Sequence, residues 1–457
     1  MVAIAEPTAA AAPESPALDM WTRNLPREHG FEPLRVEGKL PPSLRGTLYR
    51  NGPGQFEQFS KRYAHPFEGD GAVTAVRIAD GRALGASRVT PTAGLVEERA
   101  AGKLLYGTTA SWPRKMSNLL RGKHKNLANT SVVMWQGRLF ALVEASKPTE
   151  LSPDDLAMLG ETDLGVIHGA FSAHPHRVAA RKATYNFGIE YGRQTRLNLY
   201  ELPDVGAIRR LGEVALPAAV MLHDFIATES HLVFFVSPVR VNVPRAMLQL
   251  GDFKQLFRWQ PEHGTEVICV PIDRPTEVVR FTIDAFYQWH FANAFTRGDE
   301  IVVDYARYRD FQSFRAFSNR EGIEGNPLAG RYHRATIDLT RRTFLTEQLA
   351  DRSVEFPTVA PTDAGREHAL AYAAFDGLRA IGSIDRAGTI LSHAVDVSER
   401  ITEPLFVDGF LMSLCHVRDA AYVAIYDARR IPDGPVAKIW LDHHVPITFH
   451  GTFAASV

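Results

Sequence analysis

Four histidines of this chain stand in settings suited to holding a metal ion. They are His174 in FSAHPHR, His223 in MLHDFIATES, His290 in YQWHFANAF and His450 in ITFHGTF. Each lies among apolar and aromatic residues, close to Gly, Pro, Asp or Asn. A buried imidazole needs a partner for each ring nitrogen, and a metal supplies one. The bland alternative for each is a core histidine bonded to a backbone carbonyl. There are 17 histidines in all, and His124, His176, His263 and His368 sit among charges or turns, where solvation is expected. The separations within the set of four are 49, 67 and 160 residues. They exclude the i, i+4 helical pair of a zinc protease. An all-histidine set of four also leaves little room for the bound water of a zinc hydrolase.

Ligands so dispersed meet only where separate strands run to one place, and the axis of a propeller is such a place. The chain beyond residue 40 has the strands. Gly137–Glu144, His231–Val243, Thr265–Ile272, Glu300–Tyr308 and Ala421–Asp427 are apolar or β-branched runs separated by Gly, Pro, Asn and Asp. Helical patterns are short, at Pro153–Leu159 and Pro244–Phe257. The reading is an all-β fold with helical insertions, either a propeller or a large sandwich. No clean repeat is visible, so periodicity does not choose between them. No composition shift or long linker marks a boundary, which predicts a single domain over residues 21–457. Residues 1–20 are rich in Ala and Pro, with Glu6, Glu14 and Asp19 and no basic residue. They read as a disordered or extended arm without the basic start of a secretory signal.

Bulk composition narrows the function classes. The 457 residues carry 51 basic and 52 acidic side chains, a balance that argues against a nucleic-acid binder. The two cysteines, Cys269 and Cys415, form no C-x-x-C pair, so thiolate metal sites and a disulfide framework are not expected. No run approaches the roughly 18 apolar residues of a membrane span. A cytoplasmic protein is expected.

The blocks around the histidines resemble the carotenoid cleavage oxygenase family. They are GTLYRNGPG at 46–54, HPFEGDGAV at 65–73, NTSVVMWQGRLFALVEASKP at 129–148, AHPHR at 173–177, LHDFIATE at 222–229, HFANAF at 290–295, EFPTV at 355–359, TEPLFVDGFL at 402–411 and PITFHGTF at 446–453. Nine ordered blocks make the resemblance specific, and it runs from about residue 45 to the C-terminus. It implies a seven-bladed β-propeller with a helical or loop dome over the iron-binding axial face. It implies Fe(2+) held by His174, His223, His290 and His450, with Glu144, Glu355 and Glu403 bonded to three of those rings. It assigns Thr130 the task of restricting one open metal position. Acidic partners make chemical sense, because four neutral imidazoles leave the full charge on the metal. Glu144 follows the apolar run Leu139–Val143 and Glu355 precedes Phe356-Pro357, contexts that favour burial.

The resemblance also implies a reaction, the cleavage by O2 of a conjugated C=C bond of a carotenoid or apocarotenoid into two carbonyls. Within the family an aryl-alkene such as a stilbene or phenylpropene is the alternative substrate, and an inactive propeller binding module is the alternative class. Two departures bear on this. Only Val407-Asp408-Gly409 remains of an acidic loop common in the family. Val143 stands where the stilbene-cleaving branch carries a lysine, which favours an apolar polyene. Residues 101–143 hold no acid but seven bases, Lys103, Arg114, Lys115, Arg121, Lys123, Lys125 and Arg138, interleaved with apolar side chains. With AMLQLGDFKQLF at 246–257 they predict a basic and apolar lip in peripheral contact with the inner membrane face.

Overall fold

The computed structural model describes residues 21–248, 250–251, 253–314 and 330–456. The expected arm at 1–20 lies outside the described residues. The fold is all-β, and every strand pairing is antiparallel. Three consecutive sheets have four strands each, spanning Ser131–Glu161, His176–Leu216 and Ile226–Ile283. A seven-stranded sheet follows, from Tyr287–Arg297 to Ile390–Ala394, held in one piece by the 17-residue strand Thr343–Val359. The remaining two large sheets join the chain ends. One pairs Gly46–Gln55 with the last strand, His450–Ala455, and the other pairs Arg35–Gly38 with Ala437–Leu441. Both sheets thus combine strands from the two ends of the chain. Between sheets, side chains such as Phe187, Phe225 and Phe234 interdigitate, so central strands are buried on both faces.

The expected strands at Glu300–Tyr308 and Ala421–Asp427 form with those bounds. Residues 231–243 divide into His231–Val236 and Val239–Val241, because Pro238 cannot donate to a ladder. The helix expected at Pro153–Leu159 is absent. Ser152 Oγ accepts from Asp154 N and Asp155 Oδ1 accepts from Ala157 N, while Leu156 takes a left-handed φ of 63°. Those local bonds compete with a helix, and Met158–Glu161 is a strand. Residues 244–257 are broken at Gly251 (φ 75°) into the helix Val243–Leu248, a 3-10 turn and the strand Phe257–Trp259. Two further helices, Ala93–Ala101 and Trp112–Leu120, have no counterpart in the sequence reading.

Two histidine expectations change. His124 and His263 are exposed, as expected. His368 is buried, with Nε2 3.0 Å from Asp304 and Nδ1 3.0 Å from Asn293, so solvation is wrong there. His176 is partly buried and bonds Asp224 at 2.7 Å. The basic lip is also largely neutralised. Lys125 is buried between Asp70 and Glu98, Arg114 and Lys123 pair with Glu97, Arg138 pairs with Glu150, and Lys115 donates to the Thr108 carbonyl. The helices also expose large apolar side chains, Trp112, Leu120 and Met247. No described helix is long and apolar enough to cross a membrane.

Candidate metal centre

Each of the four histidines stands at or beside the start of a strand of a different sheet. His174 precedes His176–Val178, His223 precedes Ile226–Ala227, His290 lies in Tyr287–Arg297 and His450 opens the last strand. One candidate ligand nitrogen from each lies within 4.8 Å of the others, and all four residues are buried. Residues 276 positions apart in the chain thus converge because the sheets do. The backbone is irregular around this cluster. Pairing of Tyr287–Arg297 with its neighbour shifts register on both sides of Phe291, and the ladder at Glu355 shifts before Thr358. Phe356 takes a left-handed φ of 50°, and its ring lies 4.8 Å from that of His290. Bulges of this kind re-aim side chains beside functional sites.

Three glutamates stand behind three rings. Glu355 Oε2 is 2.5 Å from His290 Nδ1, and Glu403 Oε1 is 2.8 Å from His450 Nδ1. Glu144 Oε1 is 2.8 Å from His223 Nδ1, though the approach lies off the N–H axis and leaves a close charge contact in place of a straight hydrogen bond. With Nδ1 protonated, each Nε2 presents a lone pair inward. The Nε2 atoms of His223 and His290 stand 3.4 Å apart. His174 has no glutamate within hydrogen-bond reach; Glu144 and Asp224 are each 4.0 Å from it. Its Nε2 is buried without a hydrogen-bond partner. Orphaned and facing lone pairs of this kind fit a first-row transition metal, which four imidazoles suit.

The electrostatics agree. Burial pushes the three carboxyls up, but the imidazoles opposite, with Arg50 at Glu403, hold them below the usual range. Burial and the three neighbouring rings hold His174 well below the usual histidine value, so its ring is neutral. Burial also lowers His450. At His290 burial opposes charging and the Glu355 carboxylate outweighs it. A third of the Glu144 side chain is accessible. That surface is the wall of an internal cavity, so the carboxyl remains enclosed by protein.

The cavity has a volume of about 350 Å³ and lies over His223, His290 and His450. Its wall is mainly apolar, with Phe67, Val143, Trp289, Phe314, Phe356 and Phe449 prominent. Thr130 is on the wall, its hydroxyl 3.2 Å from Asn129 Oδ1 and 3.4 Å from Glu144 Oε2.

All eight candidate residues therefore meet in one place. Three contributors were not foreseen. Arg50 binds Glu403 Oε2 at 2.6 Å, Tyr308 donates a short hydrogen bond to Glu355 Oε1, and Asp224 is buried next to His174. Arg50 lies within the block GTLYRNGPG and Asp224 directly follows His223, so both were in view without an assigned role. No sequence signal points to Tyr308.

Comparison with known proteins follows the same lines. The family model described as retinal pigment epithelial membrane protein matches residues 23–455. The apocarotenoid-15,15'-oxygenase of Synechocystis is 31% identical over 98% of this chain and 99% of its own. An isoeugenol monooxygenase of Pseudomonas putida is 26% identical over 92% of this chain and 93% of its own. The crystal structure of the cobalt-substituted Synechocystis enzyme superposes with a TM-score of 0.87 at 30% identity, covering 97% of this chain and 99% of that one.

Proposed function

Because the chain belongs to the retinal pigment epithelial membrane protein family of carotenoid oxygenases, we propose that it is an Fe(2+)-dependent dioxygenase. Its substrate is a carotenoid or apocarotenoid, whose conjugated C=C bond it splits with O2 into two carbonyl products. The observation that carries this is the convergence of four buried imidazoles, three of them on the wall of a mainly apolar cavity. His174, His223, His290 and His450 are the ligands. Ferrous iron, when bound, supplies the activation of O2 that a closed-shell protein side chain lacks.

The chain's own residues do the rest. Glu355 and Glu403 hold the Nδ1 protons of His290 and His450, and Glu144 stands 2.8 Å from His223 Nδ1, which keeps the Nε2 atoms of those three ligands aimed at the centre. Phe67, Trp289, Phe314 and Phe449 exclude water from a hydrocarbon chain, gaining roughly 25 cal/mol per Å² of apolar surface removed from water. Thr130 keeps its hydroxyl turned to Asn129 and Glu144, leaving its methyl to narrow the space over the metal. Val143, on the cavity wall, has no donor for a phenol.

The finer architecture fits the same reading. The seven-stranded sheet divides at its long strand Thr343–Val359 into two meanders, which with the five other large sheets give seven blades. Residues 21–457 then form a single domain, with a dome contributed by the helices Ala93–Ala101, Trp112–Leu120 and Val243–Leu248. Membrane contact is through exposed Trp112, Leu120 and Met247, suited to a substrate that dissolves in bilayers. The membrane surface proposed is the inner, cytoplasmic face.

An aryl-alkene is the second reading, favoured by similarity to an isoeugenol monooxygenase. Incubating iron-loaded protein with apocarotenals, carotenoids and hydroxystilbenes separates the two. Faster cleavage of a polyene supports the first. Rapid cleavage of hydroxystilbenes with every polyene untouched establishes the second.

A further inference from the structure

Arg50 is a buried arginine, 1% exposed, on the strand Gly46–Gln55. In the ladder it stands opposite Gly451, and its neighbour Asn51 stands opposite the ligand His450. Its guanidinium surrounds the backbone that carries that ligand. Nη2 donates to the Phe449 carbonyl at 2.8 Å and Nε reaches Thr448 Oγ1 at 3.4 Å. Nη1 meets Glu403 Oε2 at 2.6 Å, and the other oxygen of Glu403 takes the Nδ1 proton of His450. The Gly451 N–H donates to the same Oε2 at 3.0 Å. A Cβ at Gly451 would press on the Arg50 side chain, so the strand is shaped to admit it.

A guanidinium keeps its charge in any protein environment, and burying one is expensive unless it is paired. A neutral amide could bond the Phe449 carbonyl equally well, so backbone support alone does not account for a charge here. The charges of the centre do. Three glutamates surround four neutral imidazoles, and a divalent ion offsets two of them. Arg50 offsets the third. Asp224, a fourth buried acid, has its own contacts with His176 and the N–H groups of Phe225 and Phe291. The first three glutamates, the divalent ion and Arg50 sum to zero, and a trivalent ion adds one positive charge to that set.

We propose that Arg50 is a positioning residue that poises the bound metal in its divalent state by opposing one-electron oxidation. The inference rests on the ferrous reading given above. In that oxidation the ferrous ion loses one electron to an external mediator, and no bond of the protein forms or breaks.

The test is a mediated redox titration of iron-loaded wild type, Arg50→Gln, Arg50→Lys, Glu403→Gln and the double variant Arg50→Gln/Glu403→Gln, with zinc affinity measured alongside. Arg50→Gln should raise the ferric-to-ferrous ratio at fixed potential about tenfold or more, which is about 59 mV for a one-electron couple. Arg50→Lys should stay close to wild type, Glu403→Gln should shift the ratio the other way, and the double variant should return towards wild type. Zinc, which has no redox step, should not reproduce that ordering. An unchanged or raised potential in Arg50→Gln overturns the proposal, as does a double variant that stays as low as the single one. If Arg50→Gln does not fold, Arg50→Lys at the wild-type potential with Glu403→Gln above it supports the proposal, and equal potentials in all three overturn it. A wild-type protein that takes up no iron overturns the functional reading itself, and this inference with it.

Discussion

At the scale of single residues, the centre depends on side chains that hold other side chains. Glu355 links His290 to Tyr308, with the backbone N–H of Phe356 as a third contact at 2.9 Å. Glu355→Gln keeps the shape but removes the charge and leaves one acceptor oxygen where His290 and Tyr308 use two. Iron affinity or turnover should fall about 10–100-fold, the usual effect of losing a ligand's hydrogen-bond partner. Unchanged values in a metal titration would show that Glu355 carries no part of the site. Tyr308→Phe removes one donor to a carboxylate that keeps two other contacts, so its loss should be smaller than that of Glu355→Gln. At the cavity wall, Val143→Lys places a donor beside Glu144. It should slow polyene cleavage and improve the rate on a 4-hydroxystilbene, read as the ratio of kcat/KM values. A ratio that does not move would remove Val143 from the account of specificity.

At the scale of elements, the closing ladder between Gly46–Gln55 and His450–Ala455 does two jobs, since it joins the chain ends and carries His450 of the histidine cluster. Gly451 is the tight point, because a Cβ there would run into the Tyr49 carbonyl and the Arg50 side chain. Gly451→Val should therefore lower Tm and iron retention together, whereas valine at Gly137, a turn position with open space, should lower Tm through its φ of 76° without loss of iron. Equal iron retention in both would contradict the role given to the closing strand. The elements also show what was legible in the sequence. Strands such as Glu300–Tyr308 and Ala421–Asp427 announce themselves as apolar runs between turn residues. The segment 153–159 misled because Ser152 and Asp155 spend their side chains on local backbone bonds, which a composition pattern does not reveal. The helix Ala93–Ala101 went unseen because its charged Glu98 is buried against Lys125, so its apolar stripe is incomplete. All four histidines of the cluster were legible from local context. Their glutamate partners were legible only through resemblance, since 47 residues separate Glu403 from His450 and no pattern of spacing joins them.

At the scale of the whole molecule, the N-terminal and C-terminal segments meet over buried histidines that favour the neutral form. Burial holds His416 at about 3, below its ordinary value, and its ring lies edge-on to Trp21. Burial and Arg23 hold His444 at about 4. Both are depressed relative to the unfolded chain, so acid favours the unfolded form, which binds those protons more readily. Their contribution is complete above the unfolded value near 6.5 and is lost as pH falls towards the folded values. Tm should decline between pH 7 and 4.5, and His416→Asn should flatten that decline. An identical slope in the variant would assign the acid sensitivity elsewhere. The exposed apolar face makes a second demand at this scale. Trp112→Glu should weaken sedimentation with lipid vesicles, and high salt should matter little, because most bases of residues 101–143 are engaged within the protein. Salt-sensitive binding that ignores Trp112 would restore the electrostatic lip instead. The central claim is that the four histidines hold the iron that splits a polyene. It is tested most directly by stripping the metal, restoring Fe(2+) and following the products of one apocarotenal in wild type and His223→Ala. The account predicts one iron per wild-type chain and two carbonyl products only in the iron-restored wild type, with both lost in His223→Ala. Full cleavage by the metal-free protein, or by His223→Ala, would contradict it.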